Sequence, residues 1–259
     1  MTRIAIGVEY DGSAYSGWQQ QSHARSVQGE LQKALGRVAD RDVHLTAAGR
    51  TDAGVHALMQ VAHFDTSAQR EDQAWVLGGT AVSPADVSVL WARRVPETFH
   101  ARFSALSRSY CYRIVQRPVR PALDRLRACW LRRPLDVDAM HEAAQALVGK
   151  HDFSAFRAAE CQSATPVRRL TAIAVRREPP ACVEVAVTAN AFLHHMVRII
   201  VGTLIVVGSS SQPPRWVAEV LESRDRRRAG ATAPAQGLYF AGVEYPADLG
   251  LPSMGWGFR

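Results

Sequence analysis

The chain has 259 residues, 47% of them hydrophobic, enough for one large domain or two modest ones with real cores. Its net charge of +7 points to a polyanionic partner, and Lys33 and Lys150 are the only lysines among 31 basic residues. The sequence contains no internal repeat, low-complexity segment, phosphate-binding loop or dinucleotide fingerprint, which excludes the commonest nucleotide-cofactor signatures.

Ile4, Ile6, Val8 and Tyr10 alternate with Arg3, Ala5, Gly7 and Glu9, predicting a strand that ends at the turn pair Asp11-Gly12. An aromatic, amide-rich loop from Tyr15 to Gln21 follows, and Ser26 caps a helix with Val27, Leu31, Leu35 and Val38 on one face. Val43 to Ala48 and Gln60 to Phe64 read as strands on either side of a glycine-rich loop. A helix over Arg70 to Leu77, a turn at Pro84-Ala85-Asp86 and a strand from Val87 to Trp91 come next. Composition shifts near Pro96, and the boundary between two halves, 1–97 and 98–259, is placed there.

In the second half Ser107 to Val115 alternates like a strand, and Asp136 caps a helix carrying Met140, Ala143, Ala144 and Leu147 on one face. His151 opens a polar loop that runs through Thr165. Leu170 to Val175 and Val183 to Val187 read as an antiparallel pair joined around Pro179-Pro180. A helix from Leu193 to Val207, a second started by Pro213-Pro214 and ending before Arg224, and a strand from Gly237 to Val243 complete the chain. Strands and helices mix without a regular βαβ run. That predicts an α+β fold with a mixed, largely antiparallel sheet and helices on one face.

Cys111, Cys129, Cys161 and Cys182 are spread out, with no C-x-x-C pair, so free thiols, a reducing cytosol and no zinc are expected. His194 and His195, if helical, point in different directions and do not chelate one metal together. The apolar run Met196 to Gly208 is too short to span a bilayer and carries Arg198, so it reads as a core helix; no leader pattern opens the chain.

The loop Ala48-Gly49-Arg50-Thr51-Asp52-Ala53-Gly54-Val55-His56-Ala57 sets a carboxylate between two glycines, on a short segment between strands. Arg50 nearby favours the ionised form of Asp52, which suits a nucleophile or base rather than an acid. The same residues suit a plain turn in which Asp52 bonds its own backbone. From Arg108 to Arg133 there are eight arginines and one acid, Asp124, interleaved with Tyr110, Tyr112 and Trp130. Such a run suits a phosphate backbone.

Gly-Arg-Thr-Asp-Ala-Gly-Val-His around Asp52 resembles the signature of the A-type tRNA pseudouridine synthases. Tyr10-Asp11-Gly12-Ser13, Gly17-Trp18-Gln19, Phe99-His100-Ala101-Arg102-Phe103, Cys161-Gln162-Ser163, Phe192 to Arg198 and Gly237-Leu238-Tyr239 resemble that family's other segments, in its order. The resemblance covers nearly the whole chain. It implies two α/β halves sharing a continuous sheet with a basic cleft, and a cytoplasmic homodimer without cofactor or metal. The partner it implies is tRNA, not DNA or a membrane. The implied reaction converts uridine to pseudouridine at positions 38–40 of the anticodon stem-loop. One departure is Ile199 after Arg198, where the family more often has Asn.

The resemblance assigns the nucleophile to Asp52, the cation paired with it to Arg198, and a base-replacing wedge to Arg50. Tyr110 is expected to stack on the flipped uracil and to help move the C5 proton. Arg70, Phe99, His100, Arg102, Gln162 and Ser163 are expected to bind RNA. Attack by Asp52 on C1′, attack on C6 and electrostatic support of base loss all stay open. An RNA-binding module without catalysis would share the charge but would not need Asp52. A nucleoside hydrolase usually has a second catalytic carboxylate, and the motifs supply one.

Overall fold

The computed structural model describes residues 1–252. In chain order the elements are β1 (Thr2–Tyr10), α1 (Val27–Ala39), β2 (Thr46–Ala47), β3 (His56–Thr66), α2 (Asp72–Val82), β4 (Val87–Val95) and β5 (Ser107–Gln116). Then come β6 (Cys129–Leu131), α3 (Val137–Gln145), β7 (Gly149–Asp152), β8 (Val167–Glu178), β9 (Cys182–Ala189), α4 (Met196–Gly208), α5 (Trp216–Ser223) and β10 (Leu238–Glu244). The fold is α+β, with mostly antiparallel strand pairing and five α-helices among the described residues. The described chain forms two compact units, residues 1–108 with 239–252, and residues 109–238. No described helix is long and apolar enough to cross a membrane.

In the first unit β1 lies between β4 and β3, antiparallel to both, and β10 adds to β3 in parallel through Tyr239 opposite His56 and Phe240 opposite Ala57. Ser26 caps α1 by accepting from the Gly29 N–H, so the expected start of that helix holds. Its apolar face buries Val27, Leu31 and Leu35, and Trp75 of α2 meets Phe64 of β3 edge-on at 5.1 Å. The strand expected over Val43 to Ala48 shrinks to Thr46–Ala47. The cause is local. The Leu45 N–H donates to Gln32 Oε1 at 2.9 Å and the Leu45 carbonyl accepts from Gln28 Nε2 at 2.9 Å, so two α1 side chains replace a strand ladder there.

In the second unit β5, β9, β8 and β7 follow one another across the sheet, with β6 parallel to β5. The β8–β9 pair is the expected hairpin, in register from Ala172 opposite Thr188 to Glu178 opposite Cys182, with a register shift before Leu170 opposite Ala189. Two short strands depart from the expectations. β6 lies inside the arginine-rich run, and β7 occupies the start of the stretch expected as loop, pairing antiparallel with β8. Helix α4 begins at Met196 rather than Leu193, because His195 takes a left-handed conformation, φ 59°, at its N-cap. Within α4, Met196, Val197, Ile199, Ile200 and Leu204 are buried, so the apolar run is a core helix. All four cysteines are free thiols.

Candidate functional site

Asp52 stands on the loop between β2 and β3, half-buried between exposed Arg50 and Ala53 and buried Thr51 and Val55. The loop is held at both flanks. Ala48 N–H donates to the Val61 carbonyl at 2.8 Å, and Gln60 Nε2 donates to the Gly49 carbonyl at 2.7 Å. The Val55 N–H donates to the Asp52 carbonyl at 3.1 Å, closing a tight turn around the carboxylate-bearing residue.

A second layer comes from the segment that follows β1. Trp18 N–H donates to the Thr51 carbonyl at 3.0 Å, and Gly54 N–H donates to the Tyr15 carbonyl at 3.3 Å. The Tyr10 hydroxyl lies 2.7 Å from Thr51 Oγ1 in the core, and burial pushes the Tyr10 phenol up to about 12. It therefore stays neutral at physiological pH. Two glycines make this approach of backbones feasible. A Cβ on Gly17, at φ 95°, would lie 2.6 Å from the Thr51 carbonyl oxygen; one on Gly12 would lie 1.9 Å from that of Val55. The Gly12 N–H in turn donates to Nδ1 of buried His56, whose ring stacks on Tyr239 at 4.7 Å. Three separate sequence words, around Tyr10, Gly17 and Tyr239, thus converge on the Asp52 loop.

The segment after β4 is a rigid turn. His100 Nδ1 accepts from the N–H groups of Arg102 and Phe103, and the Ser104 N–H donates to the His100 carbonyl. Phe99, expected to bind RNA, is 2% exposed and packs against Tyr245 and His63, so its ring anchors this turn and does not face solvent. His100 is half-buried and Arg102 exposed. Arg70 is exposed and bonds the Val38 and Gln69 carbonyls.

The other expected residues belong to the second unit. Tyr110 on β5 is half-buried and meets Phe192 edge-on, with centroids 4.9 Å apart and planes at 83°. Arg198, one turn into α4, donates from Nε to the Ala233 carbonyl at 2.8 Å, while the Ala233 N–H donates to the Arg198 carbonyl at 3.0 Å. The guanidinium is thereby fixed along one edge. Tyr112, its neighbour on β5 but for one residue, is buried and donates to the Pro234 carbonyl, so of the two strand tyrosines Tyr110 is the more accessible.

Gln162 is exposed, whereas Ser163 is engaged locally: its carbonyl accepts from Arg157 and its hydroxyl donates to the Thr165 carbonyl. His194 and His195 precede α4 instead of lying on it, so their rings do not diverge but lie side by side at 3.9 Å. Cys161, expected as a free thiol in the Cys161-Gln162-Ser163 segment, has surroundings that the sequence did not show. Burial raises its pKa, but hydrogen bonds from the His194 and Ser163 N–H groups and the nearby Arg157 guanidinium outweigh this and lower it.

The family model described as tRNA pseudouridine synthase matches residues 6–104 and 143–246, which take in the Asp52 loop, the Phe99–Phe103 segment and α4. The chain belongs to this family. It is 52% identical to the tRNA pseudouridine synthase A of Methylococcus capsulatus, over 96% of this chain and 92% of that one. Identity to the Xanthomonas euvesicatoria protein of the same name is 55%, over 97% and 98%. A solved structure of an H/ACA RNP bound to a substrate RNA matches at a TM-score of 0.36 and 11% identity, over 78% of this chain and 44% of that one, too distant to bear on function. Membership makes the chain an isomerase of tRNA uridine, a pseudouridine synthase that binds RNA.

Proposed function

We propose that the chain converts uridine to pseudouridine at positions 38–40 of the tRNA anticodon stem-loop, with Asp52 as the nucleophile. The observation that carries this reading is the bracing of the Asp52 loop. Hydrogen bonds from Trp18, Gly54 and Gln60 and the Tyr10–Thr51 contact fix the backbone that bears the carboxylate. Such pre-orientation is what a nucleophile needs and a casual turn does not.

The reaction breaks the C1′–N1 bond, turns the uracil and joins C1′ to C5; the C5 proton leaves and N1 gains one. Asp52 initiates it by attack at C1′ or C6 or by supporting the departing base with its charge. Tyr110, supported edge-on by Phe192, offers a ring face to the flipped uracil and a hydroxyl for the C5 proton. Arg198, held by Ala233, is the cation that partners Asp52 in this reading. Arg50 fills the place of the extruded base. Arg70, Arg102, Gln162 and the arginines between 108 and 133 hold the RNA backbone across a basic cleft, and the protein acts as a cytoplasmic homodimer.

The test is to map pseudouridine by mass spectrometry in tRNA from cells lacking the gene, before and after treatment with the purified protein. Pseudouridine missing at 38–40 and restored there supports the reading; restoration elsewhere in tRNA would keep the chemistry and replace the target.

A further inference from the structure

Among the described residues of the first unit, Phe103 is the most exposed phenylalanine, tyrosine or tryptophan side chain. Phe103 is 76% exposed, although the turn beneath it is held by several hydrogen bonds. His100 Nδ1 accepts from both the Arg102 and the Phe103 N–H, at 3.1 and 3.3 Å. The His100 N–H donates to Ser104 Oγ at 3.0 Å, and the Ser104 N–H returns to the His100 carbonyl at 2.9 Å. Below, Ala101 is fully buried; its N–H donates to His63 Nδ1 and its carbonyl accepts from the Tyr245 hydroxyl at 2.7 Å. The Arg102 carbonyl accepts from the Arg108 guanidinium. So the backbone under Phe103 is fixed while its side chain buries almost nothing and contributes correspondingly little to the core.

The surroundings of the ring describe a ligand. The His100 imidazole lies 4.3 Å from it, centroid to centroid, with a 34° tilt, and extends the aromatic surface. The Arg102 guanidinium lies 5.6 Å from the ring centroid. Nδ1 of His100 is an acceptor in two hydrogen bonds, so the imidazole is held neutral and brings no competing charge. A flat, exposed aromatic face beside a guanidinium matches a π-faced base on an anionic strand.

We propose that Phe103, with His100 and Arg102, forms a stacking platform for an unpaired nucleobase of the RNA substrate other than the reacting uridine. The inference rests on the reading of the chain as an enzyme that acts on tRNA. The platform grips the RNA and takes no part in bond making. Phe103 stacks, Arg102 reinforces the stack and meets the adjoining phosphate, and His100 fixes both.

The experiment measures binding of an unmodified tRNA transcript and steady-state pseudouridine formation by Phe103→Ala, Phe103→Leu and Phe103→Trp variants. Base–aromatic stacking predicts that Phe103→Ala weakens tRNA binding about 5- to 150-fold. KM should rise by a similar factor, while kcat at saturating tRNA stays at the wild-type value. Phe103→Trp restores affinity and Phe103→Leu does not, because Leu is apolar without a π-face. The slope of affinity against salt stays that of the wild type in all three, since no charge is removed.

Thermal unfolding of Phe103→Ala should match the wild type, because the ring is exposed. Wild-type affinity in Phe103→Ala overturns the platform, as does Phe103→Leu behaving like Phe103→Trp. A change of mass by light scattering in Phe103→Ala would instead show that a second copy of the chain covers the ring, and would also overturn it. Failure of the wild-type protein to form pseudouridine in tRNA would sink the underlying reading; a working wild type with an indifferent Phe103 would sink the platform alone.

Discussion

The Tyr10 hydroxyl and Thr51 Oγ1 meet at 2.7 Å inside the core of the first unit, one residue from Asp52. The contact joins the end of β1 to the Asp52 loop. Thr51→Val keeps the shape but removes one of the two side-chain partners of the Tyr10 hydroxyl, Gln60 being the other, at a cost of about 1 kcal/mol. Thr51→Ser restores the bond. The expected outcome is a lower melting temperature and a slower single-turnover rate for Thr51→Val at unchanged tRNA affinity, with both recovered in Thr51→Ser. Equal rates in the two variants would show that the contact stabilises the fold without orienting Asp52.

Gly17 makes a sharper test of the same brace. Its φ of 95° is costly for any residue with a Cβ, and that Cβ would meet the Thr51 carbonyl oxygen at 2.6 Å. Gly17→Ala should therefore cut turnover severely and destabilise by more than about 1 kcal/mol. Full activity in a folded Gly17→Ala variant, read by pseudouridine release, would mean that the loop tolerates displacement.

Much of this was legible in the sequence, and the misses have local causes. β9 was readable because alternate residues are buried, whereas β1, buried continuously from Ile4 to Val8, was readable from its β-branched residues and the turn pair that ends it. The Ser26 and Asp136 caps marked their helices correctly, each side chain accepting from the N–H three residues on. Helix α2, expected over Arg70 to Leu77, runs from Asp72 to Val82 through Gly78 and Gly79; without side chains these two let Val38, Leu35 and Val89 approach closely. β6 and β7, of three and four residues, are too short to show a period, and form because β5 and β8 offer partners. The words around Asp52 and Tyr10 were visible as separate motifs, but their hydrogen bonding depends on strand pairing that no local pattern encodes. Phe99 was expected to bind RNA from the segment it sits in, and its burial places its ring in the core.

The buried His63 ties stability to pH. Burial, then the charges of Arg3 and His100, lower its pKa to about 4, with Asp65 opposing. The unfolded chain binds a proton near pH 6.5 that the native state refuses until about pH 4. The His63 contribution is therefore fully present above pH 6.5 and is lost as pH falls toward 4. Urea unfolding at pH 7 and pH 4.5 should show a drop in stability that is smaller in His63→Gln by about 1–3 kcal/mol. Identical pH dependence in the two proteins would remove His63 as the source.

Arginines in the basic run and in the Asp52 loop should behave differently. Arg125 is exposed and its guanidinium donates to the nearby Ala122 carbonyl. Arg125→Ala should weaken binding of all tRNAs alike and reduce the log–log salt slope by about 0.9 or less. Arg50→Ala should spare affinity and slow catalysis, because a wedge offsets the few kcal/mol of base extrusion. If saturating tRNA restores the Arg50→Ala rate, Arg50 is a phosphate contact and not a wedge.

The central claim is that the Asp52 carboxylate begins the reaction, and the direct measurement is pseudouridine formed on unmodified tRNA by purified Asp52→Asn. The substitution keeps the size of the side chain and removes its charge. The account predicts no detectable pseudouridine over many wild-type half-times, with tRNA affinity close to that of the wild type because binding rests on many phosphate contacts. Measurable turnover by Asp52→Asn would contradict it.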